Sequence, residues 1–244
     1  MDKANVSIKP IGDTAVKVQF HQAVSPSLNS KINAFCRRLQ ELELDGVEEW
    51  VPAFDSVTIY YQPIQMRYAD IHKNLQYIAW TGGDDYVLPS RRIYVPVLYG
   101  GEQGPDLGRV AHHNELSENE VITIHQQNDY LVYMLGFLPG FPYLGGMDRQ
   151  IATPRLNEPR KRIEAGSVGI AHAQTGIYPL PSPGGWNIIG KTPLKLFDQQ
   201  ETKGAFLFHA GDRVQFYHIS TQAFAEIERL IADGTFNVEE KLME

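Results

Sequence analysis

The chain has 244 residues, with 22 Lys and Arg against 29 Asp and Glu, for a formal charge of -7. That balance argues against a general affinity for nucleic acid or anionic membrane, and no apolar run reaches the roughly 20 residues of a bilayer-spanning helix. The single cysteine, Cys36, excludes an internal disulfide framework and any cysteine cluster for zinc, and fits a reducing compartment.

The opening MDKANVSIKP mixes acid with base and has no apolar stretch, so it does not read as a secretory signal and the cytoplasm is the expected compartment. The first strand is predicted over 14–20, where Ala15, Val16, Val18 and Phe20 supply an apolar face. A helix follows. Ser25 is placed to cap it and Pro26 to open it, and Leu28, Ile32, Phe35, Leu39 and Leu42 recur at helical spacing until Gly46. Cys36 lies beside that stripe, which suits a packed thiol better than a reactive one. Strands over 47–53 and 56–61 read as a hairpin, and a second helix over 68–80 gathers Ile71, Leu75, Ile78 and Ala79 on one face. The order is β-α-β-β-α. Small and acidic residues, Thr81-Gly82-Gly83-Asp84-Asp85, then mark a boundary that divides the chain into domains at 1–85 and 86–244.

Beyond the boundary, 92–98 reads as a strand, Gly100-Gly101 as a turn and 105–113 as a short helix. Ser117 and Glu120 have the spacing of a capping box for a helix reaching about residue 126. After Asp129 helical periodicity gives way to short β-type runs at 130–137, 167–171, 194–197 and 213–218, punctuated by Gly and Pro, the pattern of a closed barrel. A final helix over 221–232 precedes a Glu-rich tail that reads as a solvated end.

Gly and Pro concentrate in two stretches, 136–146 and 179–186, which also carry Phe137, Gly140, Phe141, Tyr143, Gly185 and Trp186. Stiff loops with aromatic residues make pockets for ligands or proline-containing peptides, although ordinary barrel turns have the same composition. Between them lies the densest positive charge in the chain, from Pro154 to Arg162. Guanidinium forks bind carboxylate or phosphate bidentately, so Arg155 and Arg160 are candidate anion ligands; ion pairing with Glu158 and Glu164 is the other reading. His172, two residues before Gln174, is the best-placed histidine for an acid, a base or a hydrogen-bond donor, with a structural role equally open. The eight histidines contain no metal-binding spacing, and no metal site is expected.

Residues 185–192 spell a phosphate-binding loop, Gly185-Trp186-Asn187-Ile188-Ile189-Gly190-Lys191-Thr192. The context opposes that reading. Such a loop follows a buried strand and opens a helix, whereas here bulky side chains fill the loop and Pro193 leads into a strand-like run. Lys191 and Thr192 are still expected to face the pocket.

Several motifs together resemble one family. They are Tyr133-x-x-Gly136-Phe137-x-Pro139-Gly140-Phe141-x-Tyr143-Leu144-Gly145, Pro154-Arg155-x-x-x-Pro159-Arg160, Ala165-Gly166-Ser167-Val168-Gly169-Ile170-Ala171, Gln174-Thr175-Gly176-Ile177-Tyr178-Pro179 and Ser182-Pro183-Gly184-Gly185-Trp186. The chain resembles the KipI family, also called PxpB or the 5-oxoprolinase B-subunit family and formerly known as allophanate hydrolase subunit 1. Gly12-Asp13-Thr14-Ala15 and the stretch from Tyr99 to Leu107 extend the resemblance to nearly the whole chain. It departs at Glu164, where the family usually has proline, and at Lys191, where arginine is usual and bidentate anion binding is lost.

The resemblance implies an α+β protein, with a small ferredoxin-like N-terminal α/β domain followed by a cyclophilin-like β-barrel. It implies one component of a bacterial ATP-dependent 5-oxoprolinase, which works with the proteins PxpA and PxpC (also called KipA) to convert 5-oxoproline to glutamate, with ATP used by the complex. In that setting Arg155 and Arg160 hold the substrate carboxylate or a phosphoryl group, and His172 and Gln174 polarise the carbonyl. The family also contains inhibitors that bind a sporulation sensor histidine kinase, for which Phe137, Phe141, Tyr143 and Trp186 would be the contacts. Prolyl isomerisation follows from the fold alone and carries less weight.

Overall fold

A computed structural model describes residues 5–81, 91–200 and 204–242. The chain divides into two compact units, Met1–Leu88 and Pro89–Glu244. The proposed break at Gly82–Asp85 and the first four residues lie outside the described residues.

In the first unit, β1 (Val6–Ile11), β2 (Ala15–Phe20), β3 (Val47–Pro52) and β4 (Ser56–Tyr61) form an antiparallel sheet in the order β1-β2-β4-β3. The helices α1 (Pro26–Glu41) and α2 (Tyr68–Thr81) pack on one face. The first strand expected, over 14–20, is preceded by a further one, β1, at the edge of the sheet, where Pro10 is tolerated because edge strands accept proline. Ser25 Oγ accepts from Leu28 N at 3.2 Å, and Leu28, Ile32, Phe35 and Leu39 are buried against Val16, Val18 and Ile59. Each such side chain contributes about 1.5–3 kcal/mol by leaving water. Leu42 does not continue the buried stripe: it is the C-cap residue and is exposed. Cys36 packs against this core, and burial pushes its thiol up to about 12.

The second unit begins with β5 (Arg91–Tyr99), α3 (Leu107–His113) and α4 (Glu118–Gln127), the last opened by the Ser117/Glu120 capping box. It continues through β6 (Tyr130–Leu135), β7 (Pro142–Gly145), β8 (Arg160–Ile163), β9 (Ser167–Ala171), β10 (Gln174–Ile177), β11 (Ser182–Gly184), β12 (Asn187–Lys191), β13 (Arg213–His218), α5 (Thr221–Ala232) and β14 (Glu240–Leu242). Seven strands close into a barrel in the order β12-β9-β10-β7-β6-β13-β5, and β5 returns to β12 through Gly190↔Tyr99 and Lys191↔Leu98. Glycine is required at that seam, since a Cβ on Gly190 would come within 2.7 Å of Val97 Cγ1. The short pair β8–β11 forms a separate ribbon.

Two expectations for this unit are corrected. Residues 194–197 form no strand; Leu194 and Leu196 are buried, and only an isolated bridge joins Phe197 to Phe206. The tail is not a free solvated end, because β14 pairs with the start of β5 and Glu240 accepts from Arg91 at 3.1 Å.

α4 turns one histidine into the barrel core. His125 is fully buried, with Nδ1 2.8 Å from Tyr99 Oη and Nε2 3.0 Å from Thr175 Oγ1. The Thr175 hydroxyl donates to the Gly169 carbonyl at 3.1 Å, so it accepts from Nε2–H and leaves Nδ1 to accept from Tyr99. Desolvation pushes this imidazole down to about 3, and it is neutral throughout the physiological range.

Candidate functional site

A cleft of about 530 Å³ in the second unit is assembled mostly from residues on separate loops, among them Phe137, Phe141, Arg155, His172 and Trp186. One wall is aromatic. Phe141 is buried at its centre and meets Trp186 at 5.5 Å, Tyr178 at 5.3 Å and Phe137 at 5.8 Å, all nearly edge to face. Such contacts add about 0.5–1.5 kcal/mol each beyond burial and fix the ring planes. Gly176 on β10 lets the wall sit close to the barrel: a Cβ there would lie 3.0 Å from Phe141 Cζ and 3.1 Å from Trp186.

Polar groups come from the opposite kind of element, turns and open segments. His172 lies just after β9, and its φ of 53° is in the left-handed region. Its backbone is pinned there by two hydrogen bonds with Thr153, at 2.7 and 3.2 Å. Phe137 is also left-handed, with φ of 69°, and is 65% exposed at the rim. Strain of this sort costs about 1–3 kcal/mol per residue and gathers at functional sites. Gln174 lines the cleft from the start of β10, and Arg155 from the loop before β8.

No hydrogen bond or ion pair from another described residue holds the Arg155 guanidinium, although it acts electrostatically on both tyrosines of the cleft. Burial pushes Tyr178 up to about 12 against the opposing pull of Arg155, and raises Tyr143 in the same way. Both phenols are therefore hydrogen-bond donors at neutral pH. Gly185 borders the guanidinium: a Cβ there would lie 3.7 Å from Arg155 Nε, an ordinary van der Waals contact.

Four of the proposed site residues do not join this cleft. Arg160 gives Nη2 to Asp106 Oδ1 at 2.7 Å, while Asp106 Oδ2 accepts from Ile188 N at 2.6 Å, so the guanidinium braces β12 rather than facing the aromatic wall. Lys191 and Arg160 line a smaller pocket of about 210 Å³ with Glu102 and an Arg162–Glu164 ion pair. Thr192 is buried and its hydroxyl accepts from Leu194 N. Gly140, with φ of 81°, packs on Phe197 and shapes the loop behind Phe141 without lining the cleft. Conversely, Tyr178 lines the cleft and was absent from the proposed site residues; its position between β10 and the second Pro-rich loop was the available signal.

The phosphate-loop spelling fails on geometry. Residues Asn187–Lys191 are the strand β12, whose backbone pairs with β9 on one side and β5 on the other, so its amides do not form a cradle before a helix. Among the described residues no three His, Cys, Asp or Glu side chains gather to hold a metal ion, and no helix is long and apolar enough to cross a membrane.

Residues 6–207 match the family described as carboxyltransferase domain, subdomain C and D. The 5-oxoprolinase B-subunit of Bacillus subtilis (strain 168) is 43% identical over 231 residues, covering 89% of this chain and 94% of that protein. The chain belongs to the 5-oxoprolinase B-subunit family. The crystal structure of TTHA0988 superposes with a TM-score of 0.74 at 32% identity, covering 88% of this chain and 40% of that longer one. The urea carboxylase of Kluyveromyces lactis superposes at 0.81 over 98% of this chain and 24% of its own, but at 18% identity that likeness concerns the fold.

Proposed function

We propose that this chain is the PxpB component of a cytoplasmic, ATP-dependent 5-oxoprolinase, and that its aromatic cleft contributes to the site where the lactam is opened. The observation that carries this reading is the unpaired Arg155 guanidinium inside an aromatic cleft that also holds a strained histidine and an amide side chain. A small cyclic carboxylate has the matching features: an anion for Arg155, an apolar ring edge for the aromatic wall and a carbonyl oxygen for donors. His172 and Gln174 are assigned to that oxygen, and the Tyr178 hydroxyl is a further donor.

A lactam is a poor electrophile. Transfer of a phosphoryl group from ATP to its oxygen makes the ring carbon open to attack by water, which is the chemical reason for coupling the two reactions. Residues 187–191 are a strand and not a phosphate loop, and this reading assigns ATP binding to a partner, the partners being PxpA and PxpC. Arg160 and Lys191 then act from the neighbouring pocket, Arg160 by bracing β12 through Asp106. The barrel is read as cyclophilin-like, and the N-terminal unit as a ferredoxin-like arrangement in which β1 supplies the edge next to β2; these correspond to the domains at 1–85 and 86–244. The oxoprolinase name borne by the 43% identical relative favours the enzyme over the kinase inhibitor.

The test is reconstitution. The chain purified with PxpA and PxpC is expected to hydrolyse ATP only when 5-oxoproline is present, and a complex that shows no such dependence overturns the reading. Arg155→Ala is expected to assemble normally and to lower kcat/KM by about 10- to 100-fold.

A further inference from the structure

We infer that the helix-free face of the N-terminal sheet is a docking surface for an acidic, apolar-bearing segment of another polypeptide. The partner's membership of the complex rests on the function proposed above; the surface itself rests on strand register. Side chains alternate along a strand, and Val16, Val18 and Phe20 of β2 face the helices. Their neighbours Lys17 and Gln19 therefore face the other way, together with the residues paired to them on β1, Lys9 and Ser7.

Lys9 and Lys17 are directly opposite partners. Like charges in that relation destabilise a sheet, and no carboxylate of the described residues lies within ion-pairing distance of either amine. A protein with a formal charge of -7 has acids to spare, yet leaves this pair unneutralised. The two lysines border a concavity of about 240 Å³ with Ser7, Gln19 and His21, where His21 Nε2 hydrogen-bonds Ser7 Oγ at 2.9 Å. Beside it on the same face, Ile11, Tyr60 and Val51 are 47%, 38% and 44% exposed. Glu49, paired with Tyr60, is the acid at the far edge.

An apolar strip next to an uncompensated pair of cations is complementary to a segment that presents acidic side chains beside apolar ones. Pro10 interrupts the donor row of the edge strand β1, which disfavours addition of a further strand there and leaves the face as the route of contact.

The experiment compares assembly of the wild-type chain, Lys9→Glu/Lys17→Glu and Arg155→Ala with PxpA and PxpC by titration calorimetry. The double charge reversal is expected to weaken assembly by roughly 100-fold, and wild-type affinity to fall steeply with added salt, as for close interfacial charge pairs. Arg155→Ala is expected to assemble as the wild type does. The milder Lys9→Gln/Lys17→Gln guards against misfolding: alone it should unfold at a higher midpoint than wild type, and in the complex it should bind more weakly. A charge-reversed chain that assembles with unchanged affinity overturns the docking surface while leaving the enzyme reading intact. A wild-type chain that assembles with neither protein overturns the enzyme reading first, and this assignment of the partner with it.

Discussion

The barrel carries two polar clusters built on opposite rules. In its interior, His125, Tyr99, Thr175 and the Gly169 carbonyl form a closed relay in which each donor has an acceptor. In the cleft, Arg155, His172 and Gln174 have side chains with no hydrogen-bond partner among the described residues, and His172 sits in a strained backbone conformation. The interior cluster commits its hydrogen-bonding capacity to the fold. The cleft cluster keeps its capacity for something that arrives. Burial explains the difference, because an unmet polar group in the dry core costs about 1–3 kcal/mol while one at the rim is met by water.

Four perturbations sharpen that contrast. The largest is His125→Leu, which conserves bulk but orphans the Tyr99 hydroxyl and one acceptor site on Thr175; about 2–4 kcal/mol of stability should be lost, measured by urea unfolding. Unchanged stability would mean that the relay is incidental. Next is Arg155→Ala, for which kcat/KM should fall by about 10- to 100-fold, the loss of one charge-assisted contact to a carboxylate, with the unfolding midpoint unmoved. A drop in stability of the size seen for His125 would erase the distinction between the clusters.

The third perturbation is pH. The folded value for His125 of about 3 lies below the ordinary 6.5, so the unfolded chain takes up a proton that the native barrel refuses. Stability is full above 6.5 and declines as pH falls toward 3, by up to about 1.4 kcal/mol per pH unit for this one group. Unfolding curves on either side of 6.5 should show that slope in the wild type, and a shallower one in His125→Leu. The smallest effect is a gain. His172→Gly removes a side chain from a left-handed position and should stabilise the isolated chain by about 0.5–1 kcal/mol while slowing turnover of the complex. A loss of stability there would show that the His172 side chain supports the fold after all.

Local signals in the sequence account for what could be read in advance. Caps state helix starts within a few residues, so Ser25, the Ser117/Glu120 box and α5 over Thr221–Ala232 were legible. The barrel strands were less so: β10 and β12 are only 4 and 5 residues long, hold glycine, and are mostly buried, so no alternation of polar and apolar residues marks them. β14 was invisible for another reason. Its partner β5 is distant in sequence, and nothing in Glu240–Leu242 itself announces a strand. In the cleft, the density of Gly and Pro pointed to the correct loops, but spacing along 154–162 cannot say which side of the β8–β11 ribbon each arginine faces. Asp106, far away in sequence, decides that for Arg160.

The seam of the barrel also sets an order of events during synthesis. The strands of the first sheet all lie between Val6 and Tyr61, so its hairpins can pair soon after they leave the ribosome. β5 cannot: its longest partnership is with β13, and Arg91 meets Glu240 across 149 residues of chain. At about 5–20 residues per second, Arg91 and Glu240 are made about 7 to 30 seconds apart. For that interval the nascent barrel has an open edge along β5, and shielding it falls to whatever protects chains emerging from the ribosome.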